Sequence, residues 1–261
     1  MNRIPNILVT NDDGIFAPGI FALWEAMTEI GNVTVVAPDA EKSAVGHAIT
    51  LIDPIRVQKI RRKDGFEGFA VKGTPADCVK IAGRSLMPNK PDIVISGINS
   101  GANIGSDIIY SGTVSAATEG IIIGIPSIAI SLDALQGGDM SAAKMVAKIV
   151  VKQVIKNGLP DGTLLNANVP NISKNKIKGF KITKQGNSVF EDHFEKREDP
   201  RGKTYYWMTG TIVPDSDVES DSYAVKNGFV SITPIHYHLT NKSFINTLNN
   251  WDFLDSSKNS E

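Results

Sequence analysis

The sequence predicts an α/β fold, a Rossmann-like three-layer αβα arrangement around a mainly parallel sheet, followed by a C-terminal β-rich extension. Two observations carry that expectation. Short apolar runs that read as buried strands alternate with stretches of helical spacing through residue 170. The connections between them are short, as in sheets built by right-handed crossovers. Beyond residue 171 the alternation fades, which divides the chain into a Rossmann-like core over 1–170 and an extension over 171–261.

The elements follow in order. Residues 6–10 (NILVT) form a first strand, residues 18–31 a helix with Ile20, Leu23, Trp24 and Met27 on one side, and residues 32–38 (NVTVVAP) a second strand. Leu51-Ile52, Ile55-Arg56-Val57 and residues 66–71 read as shorter strands, with a turn at Asp64-Gly65. Thr74, or less readily Asp77, caps a helix that runs to Leu86, with Pro75 in its first turn. A buried strand over residues 91–96 (PDIVIS) ends in a run rich in Gly, Asn and Ser that reaches Gly105. Residues 113–123 are helical, 126–131 a strand, 141–156 a long amphipathic helix, and 163–169 the last strand of the main sheet. In the extension, residues 180–183, 204–208 and 229–233 read as strands. Residues 185–202 are dense in charge, fitting a hairpin, an arm or a surface lobe, and the tail from Asp255 reads as frayed.

Composition narrows the function. A chain of 261 residues with 41% hydrophobic residues supports a sizeable core. Its net charge of -1 leaves no electrostatic footprint for a nucleic-acid duplex and no drive toward an anionic membrane. Cys78 is the single cysteine, so neither an intramolecular disulfide nor a cysteine-based zinc site is available; on a helix facing the sheet it reads as a buried, inert thiol. The start of the chain has no charged n-region followed by a long apolar stretch, and the apolar block at 121–130 is broken by Gly124 and Pro126. The expectation is a cytoplasmic protein.

Three polar clusters fall at the carboxyl ends of expected parallel strands, where open α/β sheets bind ligands. Asn11-Asp12-Asp13-Gly14 is the first. Adjacent carboxylates repel unless a cation or hydrogen bonds compensate, and hard divalent cations favour such oxygen donors. The same four residues also suit a plain turn with Gly14 left-handed, and the motif alone leaves both readings open. The second cluster runs from Glu41 through Ser43 to His47; Ser43 offers a weak hydroxyl ligand or a turn cap, and His47 a hydrogen bond to phosphate or ribose or a structural contact. The third, residues 96–105, offers Asn99 and Asn103 on a Gly-rich backbone that a ligand can approach closely. Tyr110-Ser111-Gly112-Thr113 then opens a helix, whose exposed amides and positive end suit a phosphate at Ser111, Gly112 and Thr113; as an ordinary helix start, Thr113 would only be the cap.

Several chemistries are excluded or disfavoured. The chain has no Gly-x-x-x-x-Gly-Lys-Ser/Thr loop and no Gly-x-Ser-x-Gly elbow. Four histidines and one cysteine supply a zinc hydrolase poorly. The first carboxylates are adjacent rather than spaced as Asp-x-Asp, so a metal-activated water is a simpler nucleophile than an aspartyl group.

These motifs, in this order, resemble the survival protein SurE family. The resemblance is carried by Asn11-Asp12-Asp13-Gly14 with Ala17-Pro18-Gly19, by Ser43 with Gly46-His47, and by residues 73–78. Ser96-Gly97-Ile98-Asn99-Ser100-Gly101 with Asn103 and Tyr110-Ser111-Gly112-Thr113 extend it, as do residues 192–194, 199–202, 205–207 and 230–234. It implies a divalent-metal-dependent phosphomonoesterase (nucleotidase) that hydrolyses nucleoside 5′- and 3′-monophosphates, some relatives also acting on polyphosphate. It further implies one Mg²⁺ or Mn²⁺ per subunit on Asp12, Asp13, Ser43 and Asn99, with Asp12, Asp13 and Asn99 as the catalytic group. Phosphate binding falls to Asn103 and to Ser111, Gly112 and Thr113. The expected assembly is a homodimer or homotetramer joined by an arm around residues 185–202, with a terminal helix packed on the core. One departure is visible: many relatives carry Gly where this chain has Ala44, which restricts the backbone beside Ser43. Asp12 is the expected aid to deprotonation of the attacking water. Two other classes compete, a non-catalytic nucleotide-binding module whose aspartates grip ribose and an oligomeric scaffold whose loops are only turns.

Overall fold

The computed structural model describes residues 3–134, 138–213 and 215–253. The tail from Asp255 therefore lies outside the described residues.

Among the described residues, nine strands form one sheet. Strand β1 (Asn6–Thr10) lies in its interior, between β2 (Asn32–Pro38) and β5 (Ile93–Ser100), and pairs parallel with both. On the β2 side follow β4 (Glu67–Lys72) and the antiparallel edge strand β3 (Arg56–Arg61). On the β5 side come β6 (Ser127–Asp133) and β7 (Thr163–Pro170), both parallel. Successive residues of each central strand face opposite layers, as the period-two pleat requires. Ile7, Val9, Val35, Ile93, Ile95, Ile128 and Ile130 pack against helices α1 (Pro18–Thr28) and α4 (Ser141–Asn157). Leu8, Val36 and Val94 face α2 (Pro75–Ile81), and Ala129 faces α3 (Gly112–Ile122). The mainly parallel sheet covered by helices on both faces is the expected fold.

Local chemistry accounts for several boundaries. Thr74 caps α2 by accepting from Asp77 N–H, and the Asp77 carboxylate accepts from Thr74 N–H in return, a reciprocal capping box. The helix continues as a π-helical turn over Ala82–Leu86. Cys78 is fully buried on the sheet-facing side of α2, and burial pushes its thiol well above the ordinary range. Ser111 caps α3, its hydroxyl accepting from Val114 N–H at 3.1 Å, so Thr113 is not the cap.

Three expectations are corrected. Leu51 and Ile52 form no strand; both are exposed, and the edge strand starts later, at Arg56. Strand β5 runs to Ser100 instead of ending at Ser96, because a register shift between Ser96 and Asn99 lets the Gly-rich run stay in the sheet. Nor is β7 the last strand of the main sheet. Strand β11 (Val230–His236) pairs antiparallel with it, and β8 (Phe180–Ile182) pairs parallel with β11. A β-strand pairs through its backbone, so apolar periodicity along the first 170 residues carried no record of this later addition.

The remaining elements are β9 (Val189–Glu198), β10 (Thr204–Val213), α5 (Asp221–Lys226) and α6 (Lys242–Leu248). Strands β9 and β10 form a separate antiparallel hairpin with ten paired positions, and every residue of β9 is exposed. No residue of α6 is buried.

Candidate metal and phosphate site

The sheet order reverses direction at β1: the chain moves outward to β2 on one side and later to β5 on the other. Such a switch point leaves a crevice beyond the strand ends. A cleft of about 690 Å³ occupies it, lined by Asp12, Asp13, Glu41, Ser43, Asn99, Asn103, Tyr110 and Ser111 among others.

The turn after β1 sets both aspartates. Asn11 is fully buried and its amide donates to Gly14 C=O at 3.0 Å, while Gly14 takes φ +96°, a conformation that a side chain disfavours. The turn reading is thus realised by Asn11 and Gly14, and the turn leaves the side chains of Asp12 and Asp13 lining the cleft. Asp12 is nearly buried; its Oδ1 accepts from Thr113 Oγ1, and its carbonyl accepts from Lys42 N–H at 2.7 Å. Gly112 sits directly behind it. A Cβ there would lie 2.7 Å from Asp12 Cβ, so only a glycine lets the helix come this close.

Burial raises the Asp12 carboxyl above its ordinary range, against the Thr113 hydrogen bond, and Glu41 adds to the rise. Asp13 is pushed up to about 6, chiefly by burial and then by the charge of Asp12. Among the described residues, the charged side chains acting on this pair are acidic. No three His, Cys, Asp or Glu side chains converge as a metal cluster among the described residues. Neutral oxygens complete the donor set instead. Asn99 donates its amide nitrogen to Gly101 C=O at 2.7 Å, which turns that hydrogen-bonding end away and leaves the amide oxygen available to a cation, and Ser43 Oγ donates to Glu41 at 2.7 Å. Two carboxylates, an amide oxygen and a hydroxyl fit a hard divalent cation.

Asn103 is fixed from behind by the sheet. Its N–H donates to Asn168 at 2.8 Å, its carbonyl accepts from Asn166 and Asn168, and its amide donates to Ser131 Oγ at 2.8 Å. One amide hydrogen remains for a ligand. Ser111 brings the positive end of α3 to the cleft wall.

The structure thus gathers Asp12, Asp13, Ser43, Asn99, Asn103 and Ser111 at one cleft. Gly112 and Thr113 lie behind Asp12, within the wall. His47 is placed differently: its Nε2 lies 3.0 Å from Glu119 Oε2, and it does not line the cleft. Sequence reasoning named Glu41 without giving it a role and passed over Asn166, Asn168 and Glu119. Two asparagines in the otherwise apolar TLLNANV strand, and one acid among the small residues of α3, were the available signals.

A model of the Survival protein SurE family matches residues 7–192. The chain belongs to the SurE family. Relatives called "5'-nucleotidase SurE" are 50% identical in Syntrophobacter fumaroxidans, covering 94% of this chain and 99% of that protein, and 50% identical in Geobacter metallireducens, covering 95% and 98%. The crystal structure of the SurE protein from Aquifex aeolicus superimposes with a TM-score of 0.83 at 44% identity, covering 94% of this chain and 98% of that one.

Proposed function

We propose that this SurE-family chain is a divalent-metal-dependent phosphomonoesterase acting on nucleoside 5′- and 3′-monophosphates, with short polyphosphate as a further substrate. The single observation that carries the chemistry is the pair Asp12 and Asp13, two half-to-fully buried acids facing further acidic charge beside a helix N-terminus. Like charges in that position call for a cation, and the helix end calls for an anion. The nucleotide half of the reading comes from the relatives named for that activity.

Asp12, Asp13, Ser43 and Asn99 would hold one Mg²⁺ or Mn²⁺, which supplies Lewis-acid polarisation of a phosphoryl oxygen when bound. Thr113 holds the Asp12 carboxylate in one orientation, from which it would take the proton of an attacking water. The remaining amide hydrogen of Asn103 and the amides at the start of α3 face charge that spreads over the equatorial oxygens during in-line transfer.

Residues 1–170 supply this site. Residues 171–261 extend the sheet and carry the β9–β10 arm, through which the chain would form a homodimer or homotetramer. No helix among the described residues is long and apolar enough to cross a membrane, and a cytoplasmic location suits a nucleotide substrate. The test is hydrolysis of p-nitrophenyl phosphate and a nucleoside monophosphate panel, each with and without Mn²⁺. Activity is expected to vanish with chelator and return with metal, and Asp12→Asn is expected to abolish it at any Mg²⁺ or Mn²⁺ level; turnover by that variant would sink the assignment.

A further inference from the structure

The segment from Asp39 to Ile55 carries Ser43, yet it contains no helix or strand and none of its residues is buried. Apart from Ile55 at its far end, which packs against the core under α2, the loop is held chiefly by its polar contacts. Its two ends are tied to neighbouring backbone and to α2. Lys42 N–H donates to Asp12 C=O, Thr74 Oγ1 donates to Ala48 C=O at 2.7 Å, and Asp77 accepts from Thr50 through both N–H and hydroxyl. In the middle, Gly46 N–H donates to Tyr110 C=O at 3.1 Å, and His47 reaches Glu119.

Glu119 is an unusual side chain for its place. It projects from the buried side of α3, is 2% exposed, and binds Lys80 Nζ of α2 at 2.5 Å through one oxygen and His47 through the other. Burial alone would raise its carboxyl, but the hydrogen bonds from His47 and Lys80 outweigh it and hold the group below its ordinary range. It is therefore a fixed anion, with Lys80 supplying the compensating charge.

We infer that Glu119 and His47 are positioning residues, a tether that holds the Ser43 loop against the phosphate-binding helix and so presets the fourth ligand for a divalent cation. This rests on the metal reading given above. The same helix that seats phosphate through Ser111 and orients Asp12 through Thr113 then also fixes Ser43, two turns further along, through Glu119. Partners of this outer kind are worth about 10–100-fold in metal affinity elsewhere. The assignment replaces a substrate contact for His47 with a tether.

The experiment compares wild type, His47→Ala, His47→Gln and Glu119→Gln. Mn²⁺ binding is followed by the EPR signal of unbound Mn²⁺ with no substrate present. Hydrogen exchange at the Lys42 and Gly46 amides is followed in the metal-free protein, and KM for a nucleoside monophosphate is measured at saturating Mn²⁺. His47→Ala and Glu119→Gln are expected to weaken Mn²⁺ binding roughly tenfold and to speed exchange at those two amides while central-strand amides stay protected. His47→Gln, whose amide nitrogen reaches about as far as the imidazole Nε2, is expected to restore both. Unchanged Mn²⁺ affinity and loop exchange in His47→Ala would overturn the tether, and so would a raised KM with unchanged Mn²⁺ affinity, which returns His47 to the substrate. If wild type itself binds no Mn²⁺, the metal reading fails instead, and loop exchange still decides whether the tether exists.

Discussion

The cleft and the β9–β10 hairpin are built on opposite principles. Around the cleft the key side chains are positioned from within the chain: Asp12 by Thr113, Asn103 by Asn166, Asn168 and Ser131, and behind it Glu119 by His47 and Lys80. Along the hairpin, Phe194, Tyr206, Trp207 and Met208 stand about 60% exposed, with a dense charge pattern around them. Aromatic surface of that extent is answered by another surface or left to water. The hairpin root is nevertheless tied to the site loop. Gly105 N–H and Gly186 N–H both donate to the buried Asp221, and Gln185 donates to Gly105 C=O at 2.8 Å. One region is thus positioned by polar contacts within the chain, and the other is anchored in the chain but leaves its aromatic side chains exposed.

Three changes would break or sharpen that contrast. The largest effect is expected in the hairpin. Replacing Tyr206 and Trp207 together by Ser should weaken self-association by roughly a thousandfold, since buried aromatic anchors contribute about 2 kcal/mol or more each. Sedimentation at graded concentration reads this, and the far-UV spectrum should not move because neither residue supports the core. An unchanged assembly would show these two aromatic side chains, one on each face of the hairpin, to be unused. Next is Gly112→Ala, whose methyl must displace Asp12. A displacement approaching 1 Å costs on the order of 100-fold in rate, so kcat/KM should fall by about that much with little change in the thermal midpoint; near-normal activity would mean that the cleft tolerates a moved Asp12. The smallest effect is expected at Ala44, which takes φ +54°, a left-handed conformation that costs an alanine about 1 kcal/mol. Ala44→Gly should raise stability in urea by about 1 kcal/mol or less, and loss of stability would mean that the loop is held by something other than backbone strain relief.

The residue-level reading was strongest where local chemistry and placement coincide. Asp12 and Asp13 follow a buried strand, Asn99 and Asn103 sit in a Gly-rich run, and Ser111 opens a helix; each follows from spacing and residue type alone. The Gly that many family members carry beside Ser43 is replaced here by Ala44, which adopts a left-handed φ that a Gly would take without strain. His47 was not legible in this sense. An exposed-loop histidine offers the same letter whether it meets a phosphate or a carboxylate, and Glu119, its partner, lies 72 residues away.

What the sequence by itself determined was therefore the alternation of strands and helices, the parallel centre of the sheet and the gathering of polar clusters at its carboxyl edge. Those follow from periodicity, caps and turn residues, which act over a few neighbours along the chain. Only the tertiary structure decided that β11 and β8 extend the sheet, that Asn166 and Asn168 hold Asn103, that Gly112 and Thr113 stand behind Asp12, and that His47 meets Glu119. Each is a contact between segments distant in sequence, made by backbone pairing or by single polar side chains, and neither leaves a repeating pattern to read.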